Sequence, residues 1–145
     1  MRLLKDFDYF LEKGIVRKQG VDKSRSEFLE KESKLSFDGL IERVELMGIN
    51  KKNSNSVIKD CYDIILESIR SKMFLLGYSS TGHGAHEAEV AFSRKILERE
   101  NDVQFLNKLR YFRNGMIYYG MIFDLEYAKD VVDFTKRIYL EITRA

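Results

Sequence analysis

The stretch NSVIKDCYDIILESIRSKMFLLG, residues 55–77, decides the fold class. Val57, Cys61, Ile64, Ile65, Ile69 and Met73 recur at steps of three and four, Leu76 extends the run, and Gly77 ends it. The spacing predicts a helix with a broad apolar face, and Asn53-Ser54-Asn55-Ser56 supplies candidate caps at its start. A helix this apolar belongs at the centre of a bundle. The same period continues outward. Leu4, Phe7, Phe10 and Leu11 predict a helix over 3–13 with Gly14 as its stop. Leu40, Ile41, Val44 and Met47 predict a long one capped by Ser24 or Ser26 and ended by Gly48. A shorter helix starts near Ala85 or His86 and carries Val90, Phe92 and Ile96. Another runs from Asp102 as cap to Tyr119, with Gly120 as stop. Asp124 caps the last, whose stripe is Tyr127, Val131, Phe134, Ile138 and Ile142. Residues 17–25 and the 78–84 stretch YSSTGHG read as loops. The expected fold is all-α: an antiparallel up-and-down helical bundle of five to six helices, with residues 1–145 as a single domain.

Composition agrees. The 145 residues contain no proline, where average usage of about 5% would place roughly seven. Charged residues make up 33%, yet 25 Lys and Arg against 23 Asp and Glu leave only +2. That balance excludes a strongly basic nucleic-acid coat and an acidic solvating tail. One cysteine, Cys61, leaves no intrachain disulfide or Cys-based zinc site, and its place on the apolar stripe makes it a small core residue. No run reaches the roughly 18 apolar residues of a membrane span. The early charges Arg2, Lys5 and Asp6 do not suit a signal peptide, so a cytoplasmic location is expected. His83 and His86 lack a nearby third ligand, there is no Gly-rich phosphate loop or Walker-type lysine, and neither metal nor cofactor is expected.

Chemistry concentrates on the helix over 102–119. At about 100° per residue, Phe105, Leu109, Phe112, Met116 and Tyr119 share one sector, read as the core face. Leu106, Arg110, Arg113, Asn114, Ile117 and Tyr118 fall on the other, where an ordinary solvent face would carry Lys and Glu. Arginine, Asn, Tyr and aliphatics together suit an interface or an anion site. Pairing two such faces predicts a homodimer that buries Leu106 and Ile117 and brings the arginines to a shared cleft. The structural alternative is that Arg110 and Arg113 pair with carboxylates of neighbouring helices, Asp60 and Asp63 being the convenient ones. His86 either reaches towards the arginine helix or hydrogen-bonds its own loop. Glu87 and Glu89 suit the positive end of a helix. Arg17, Lys18, Lys23 and Arg25 read as a solvated loop with too small a footprint for nucleic acid.

The segment LRYFRNGMIYYG, residues 109–120, resembles the signature helix of HEPN domains, small helical bundles of bacteria and archaea. Upstream, Asn55–Gly77 with Asp60-Cys61-Tyr62-Asp63 and the closing Leu-Leu-Gly is similar to the central helix of archaeal HEPN-like proteins. Tyr78–Phe92 with His86-Glu87-Ala88 resembles the stretch that follows it, and Asp6-Phe7-Asp8-Tyr9-Phe10 and Gly48-Ile49-Asn50 also fit. The resemblance implies a dimeric module acting beside a nucleotidyltransferase partner in a toxin–antitoxin or defence pair. The family's ribonucleases place an Arg and a polar residue four to six residues before a His, and two copies form a metal-independent RNA-cleaving site. Arg113 and Asn114 match the first two positions, but Tyr118, Tyr119 and Gly120 stand where the His would be. Imidazole titrates near pH 6.5 and exchanges protons at neutral pH, whereas a phenol titrating near 10 does so poorly. The resemblance therefore implies an RNA- or nucleotide-binding module using Arg110, Arg113, Asn114, Tyr118, Tyr119 and His86. Its alternative is an endoribonuclease toxin with a variant Arg113-Asn114…Tyr118 site.

Overall fold

The computed structural model describes residues 3–119 and 123–145, with side chains outside the description at 117–119. The chain forms α1 (Phe7–Glu12), β1 (Val16–Lys18), α2 (Lys23–Met47), α3 (Ser54–Leu75), β2 (Tyr78–Ser80), α4 (Ala85–Phe92), a 3-10 turn (Ser93–Lys95), α5 (Glu100–Tyr119) and α6 (Leu125–Arg144). It is an all-α bundle with a small two-stranded ribbon. None of its helices among the described residues is long and apolar enough to cross a membrane.

The residues 55–77 occupy the centre, as their periodicity requires. Ile58, Cys61, Tyr62, Ile65, Leu66, Ile69 and Met73 of α3 are all buried, against α2 on one side and α4, α5 and α6 on the others. Each such aliphatic side chain contributes about 1.5–3 kcal/mol by leaving water. The helices α3 and α5 run antiparallel: Asp63 meets Arg113, while Asn55, two turns earlier, accepts from the backbone N–H of Phe123 beyond α5. On α6 the expected stripe holds, with Val131, Phe134, Ile138 and Ile142 buried and Asp124 capping through a 2.9 Å bond from the Tyr127 N–H.

Other boundaries depart from expectation. The first helix begins at Phe7, not Leu3, although Leu4 still reaches the core. Asp22 caps α2, accepting from the Arg25 N–H at 3.0 Å, while Ser26 lies buried against Ser71. Met47 is exposed at the end of α2 instead of sharing its core stripe. The two stretches read as loops pair as an antiparallel ribbon, Val16 opposite Ser80 and Lys18 opposite Tyr78. Gly77 turns the chain into it at φ +83°, where an added Cβ would sit 2.7 Å from the Gln19 carbonyl oxygen. In the basic stretch, Arg17 and Lys18 belong to β1 and Arg25 lies over the Phe74 ring at 4.9 Å. Asp102 does not cap α5, which starts two residues earlier. Its buried carboxylate instead takes both Nη groups of Arg137 on α6, at 2.8 and 2.9 Å.

Candidate functional site

The arginine-bearing face of α5 points inward. Leu106 is fully buried, as is Leu109, and Asn107 is 1% exposed. Arg110, Arg113 and Asn114 are half-buried, and Glu100, Asn101, Lys108 and Tyr111 are exposed. The helix is lined on two sides. Phe105 packs at a tilt against Phe134 of α6 and Phe112 meets Phe123 and Tyr127, which is the face expected for the core. The second face packs on α3 and α4. Leu106 is therefore spent inside the monomer and offers nothing to a dimer across α5. The side chains of Ile117, Tyr118 and Tyr119, and residue Gly120, lie outside the described residues.

Tyr62 of α3 organises what the second face brings together. Its ring is buried, and the centre of the Arg113 guanidinium lies 5.4 Å from the ring centroid, a cation–π contact. The His86 ring, from the first turn of α4, stands 6.1 Å from the same centroid. Arg113 donates from Nη2 to Asp63 Oδ1 at 3.2 Å, and its buried Nε has no hydrogen-bond partner among the described residues. Arg110 donates from Nε and Nη2 to Asn107 Oδ1 at 3.2 and 3.1 Å. Arg70 of α3 donates to Glu89 of α4, whose carboxylate is 1% exposed, so Glu89 serves an interior ion pair and not a helix terminus.

The electrostatics follow from this gathering. Burial holds the His86 imidazole below its ordinary value, and the positive charges of Arg70, Arg113 and Arg110 press it the same way, against Asp63. His86 thus gives up its proton more readily than a free imidazole. Burial raises the Glu89 carboxyl while Arg70 pulls it back, and burial also raises the Tyr62 hydroxyl. Of the two expected carboxylate partners, Asp63 pairs with Arg113, while Asp60 pairs at 3.0 Å with Arg43 of α2. Asp63 also lines a polar cleft of about 350 Å³ between α2 and α3, with Arg43, Asp60 and Glu67.

Arg70, Arg110 and Arg113 lie among the carboxylates of Asp63, Glu67 and Glu89. Glu89 is bound to Arg70 inside the protein. Asp63 is 55% exposed and holds Arg113 through one contact, an ion pair of the class worth at most about 1 kcal/mol. A phosphate could take its place, offering oxygens to Arg113 in the bidentate geometry guanidinium prefers. Among the described residues no cluster of His, Cys, Asp and Glu could hold a metal ion.

From sequence, Arg110, Arg113, Asn114 and His86 were all visible as candidates, whereas Tyr62 and Arg70 as their platform and neighbour were not. Tyr62 is an aromatic one step off an apolar stripe, and Arg70 carries no local signal. The chain matches no family model, no curated protein and no solved structure.

Proposed function

We propose that the protein is a HEPN-like module that binds RNA or a nucleotide through Arg113, acting as a homodimer beside a nucleotidyltransferase partner in a toxin–antitoxin or defence pair. One observation carries the binding reading: Arg113 lies over the Tyr62 ring beside His86, whose imidazole also feels the charges of Arg70 and Arg110, at the junction of α3, α4 and α5. The HEPN resemblance of residues 109–120 supplies the setting. Arg113 holds a phosphate in exchange for Asp63, Arg110 adds charge, and Asn114 and His86 offer hydrogen-bonding groups beside it. With a phenol where the family's ribonucleases have imidazole, the site binds and does not cleave.

Fluorescence anisotropy with a labelled short oligoribonucleotide, and competition by free nucleotides, test this. Affinity should fall as salt rises, since phosphate contacts release counterions. Arg113→Ala should lose most binding while keeping its helical circular dichroism, and intact RNA should be recovered after incubation. If Arg113→Ala binds as wild type does, the arginines are ion-pair partners only and the reading fails.

A further inference from the structure

Tyr111 is the exposed aromatic among the described side chains of α5. It is 49% exposed, and its ring rests at a 59° tilt against Phe112, with centroids 5.9 Å apart. Its neighbours one turn away are Asn107, Lys108, Asn114 and Gly115, so the ring stands beside polar positions and not in an apolar patch. Side chains on a helix lean towards its N-terminus, so Tyr111 covers the turn that carries Asn107 and Lys108. A cation flanks it on each side there. The Arg110 guanidinium is held at Asn107 Oδ1 through Nε and Nη2. On the other side, exposed Lys108 makes no ion pair among the described residues. Around the helix the order is Arg113, Arg110, Tyr111 and Lys108, in steps of about 60°, 100° and 60°.

We propose that Tyr111 is a stacking platform for an unpaired nucleobase, and that the ligand is a single strand laid across α5 with phosphates on Arg113, Arg110 and Lys108. This rests on the phosphate reading of Arg113 and adds the base and the strand to it. Every nucleobase has a flat π face, and such faces stack on exposed aromatic rings with little regard to sequence. A nucleic-acid backbone carries a negative charge on either side of each base, and this ring has a cationic side chain on either side of it. A free phosphate would use the arginines and ignore the ring. In a duplex both faces of each base are already stacked, so a paired strand reaches the cations and not the ring. The same surroundings disfavour an apolar protein partner, since a lysine and two asparagines border the ring where an interface core would be apolar.

Fluorescence anisotropy with a labelled short oligoadenylate, an abasic ribose-phosphate oligomer of equal length and a duplex of the same strand separates these parts. Wild type should prefer the oligoadenylate to both, and adenosine monophosphate should compete weakly. Tyr111→Ala should weaken oligoadenylate binding by about fivefold to a hundredfold. It should leave the abasic oligomer bound as before and the far-UV circular dichroism unchanged, and Tyr111→Phe should keep wild-type affinity. Lys108→Ala should weaken both single strands alike and lower the salt slope by about one. If Tyr111→Ala binds oligoadenylate as wild type does while Arg113→Ala does not, the platform is overturned and the phosphate reading stands. The reverse pattern keeps the platform and overturns the role of Arg113. A Tyr111→Ala loss shared by the abasic oligomer, or a duplex bound as tightly as the single strand, would also overturn the platform. Adenosine monophosphate bound as tightly as the strand would overturn the path across α5.

Discussion

Removing Arg137 should loosen the helix that carries Arg110 and Arg113. Asp102 lies near the start of α5 with its side chain 5% exposed, and Arg137 reaches it from α6 with both Nη groups. In Arg137→Met the aliphatic stem survives and the carboxylate stays buried with its fork of donors gone. Two hydrogen bonds to a charged acceptor are worth about 1.5–3 kcal/mol each. Arg137 is itself 49% exposed, so water screens the charge and refills part of the shell, which brings the expected loss to about 2 kcal/mol. For a domain of this size that lowers the melting temperature by roughly 4–8 °C. The pH dependence supplies the sharper check. The hydrogen bond from Arg137 holds the Asp102 carboxyl below its ordinary value of 3.8. Its contribution is complete above pH 3.8 and is lost as pH falls through the lower, folded value. Thermal melts of wild type and variant should therefore differ at neutral pH and converge in acid. A difference under about 0.5 kcal/mol at pH 7, or one that persists undiminished once the carboxyl is protonated, would refute the reasoning.

Tyr62→Phe should leave stability unchanged or raise it by up to about 1 kcal/mol in urea titrations, because the buried hydroxyl has no partner among the described residues. A loss above about 2 kcal/mol would reveal a bond to that oxygen. His86→Gln should flatten the acid side of the stability curve. His86 titrates lower folded than unfolded, so the unfolded chain takes the proton first and wild type loses stability as pH drops through about 6.5. Identical slopes for the two proteins would contradict this. Gly77→Ala should cost roughly 2–4 kcal/mol, because the Cβ meets the Gln19 carbonyl at 2.7 Å. Gly14→Ala, at φ +73° with nothing within 4 Å, should cost less, and equal losses would assign the whole effect to backbone strain.

The elements with one wet face were legible in the sequence. The α3 and α6 stripes, Gly77 and Asp124 stand where period and capping chemistry put them, because those signals are local. Three-residue strands leave no period to read, and Arg17 and Lys18 look like loop in any window. Asp102 has the chemistry of a cap, but its fate depends on Arg137, 35 residues away. On α5, counting angles found two faces and misjudged one, because the face read as meeting a second copy packs inside the monomer, with Leu106 fully buried. Arg110 and Arg113 face inward since Asn107, Asp63 and the Tyr62 ring accommodate them there. Of the candidate site, the residue types were readable and the junction that assembles them was not, since Tyr62, His86 and Arg113 come from three helices.

Cys61 lies on the innermost face of α3, fully buried, and burial pushes its thiol up to about 12. Only thiolate reacts with alkylating reagents, and only where they can reach it. In the native protein this sulfur fails on both counts. With a single cysteine in the chain, every alkylated molecule is one in which the centre of the bundle has come apart. Labelling with a dilute thiol reagent thus counts opening events without any engineered probe. Where reclosing outpaces the reagent, the labelling rate tracks the free energy of opening; where it does not, it tracks the opening rate. The natural sequence carries its own stopwatch at the position where the fold is tightest.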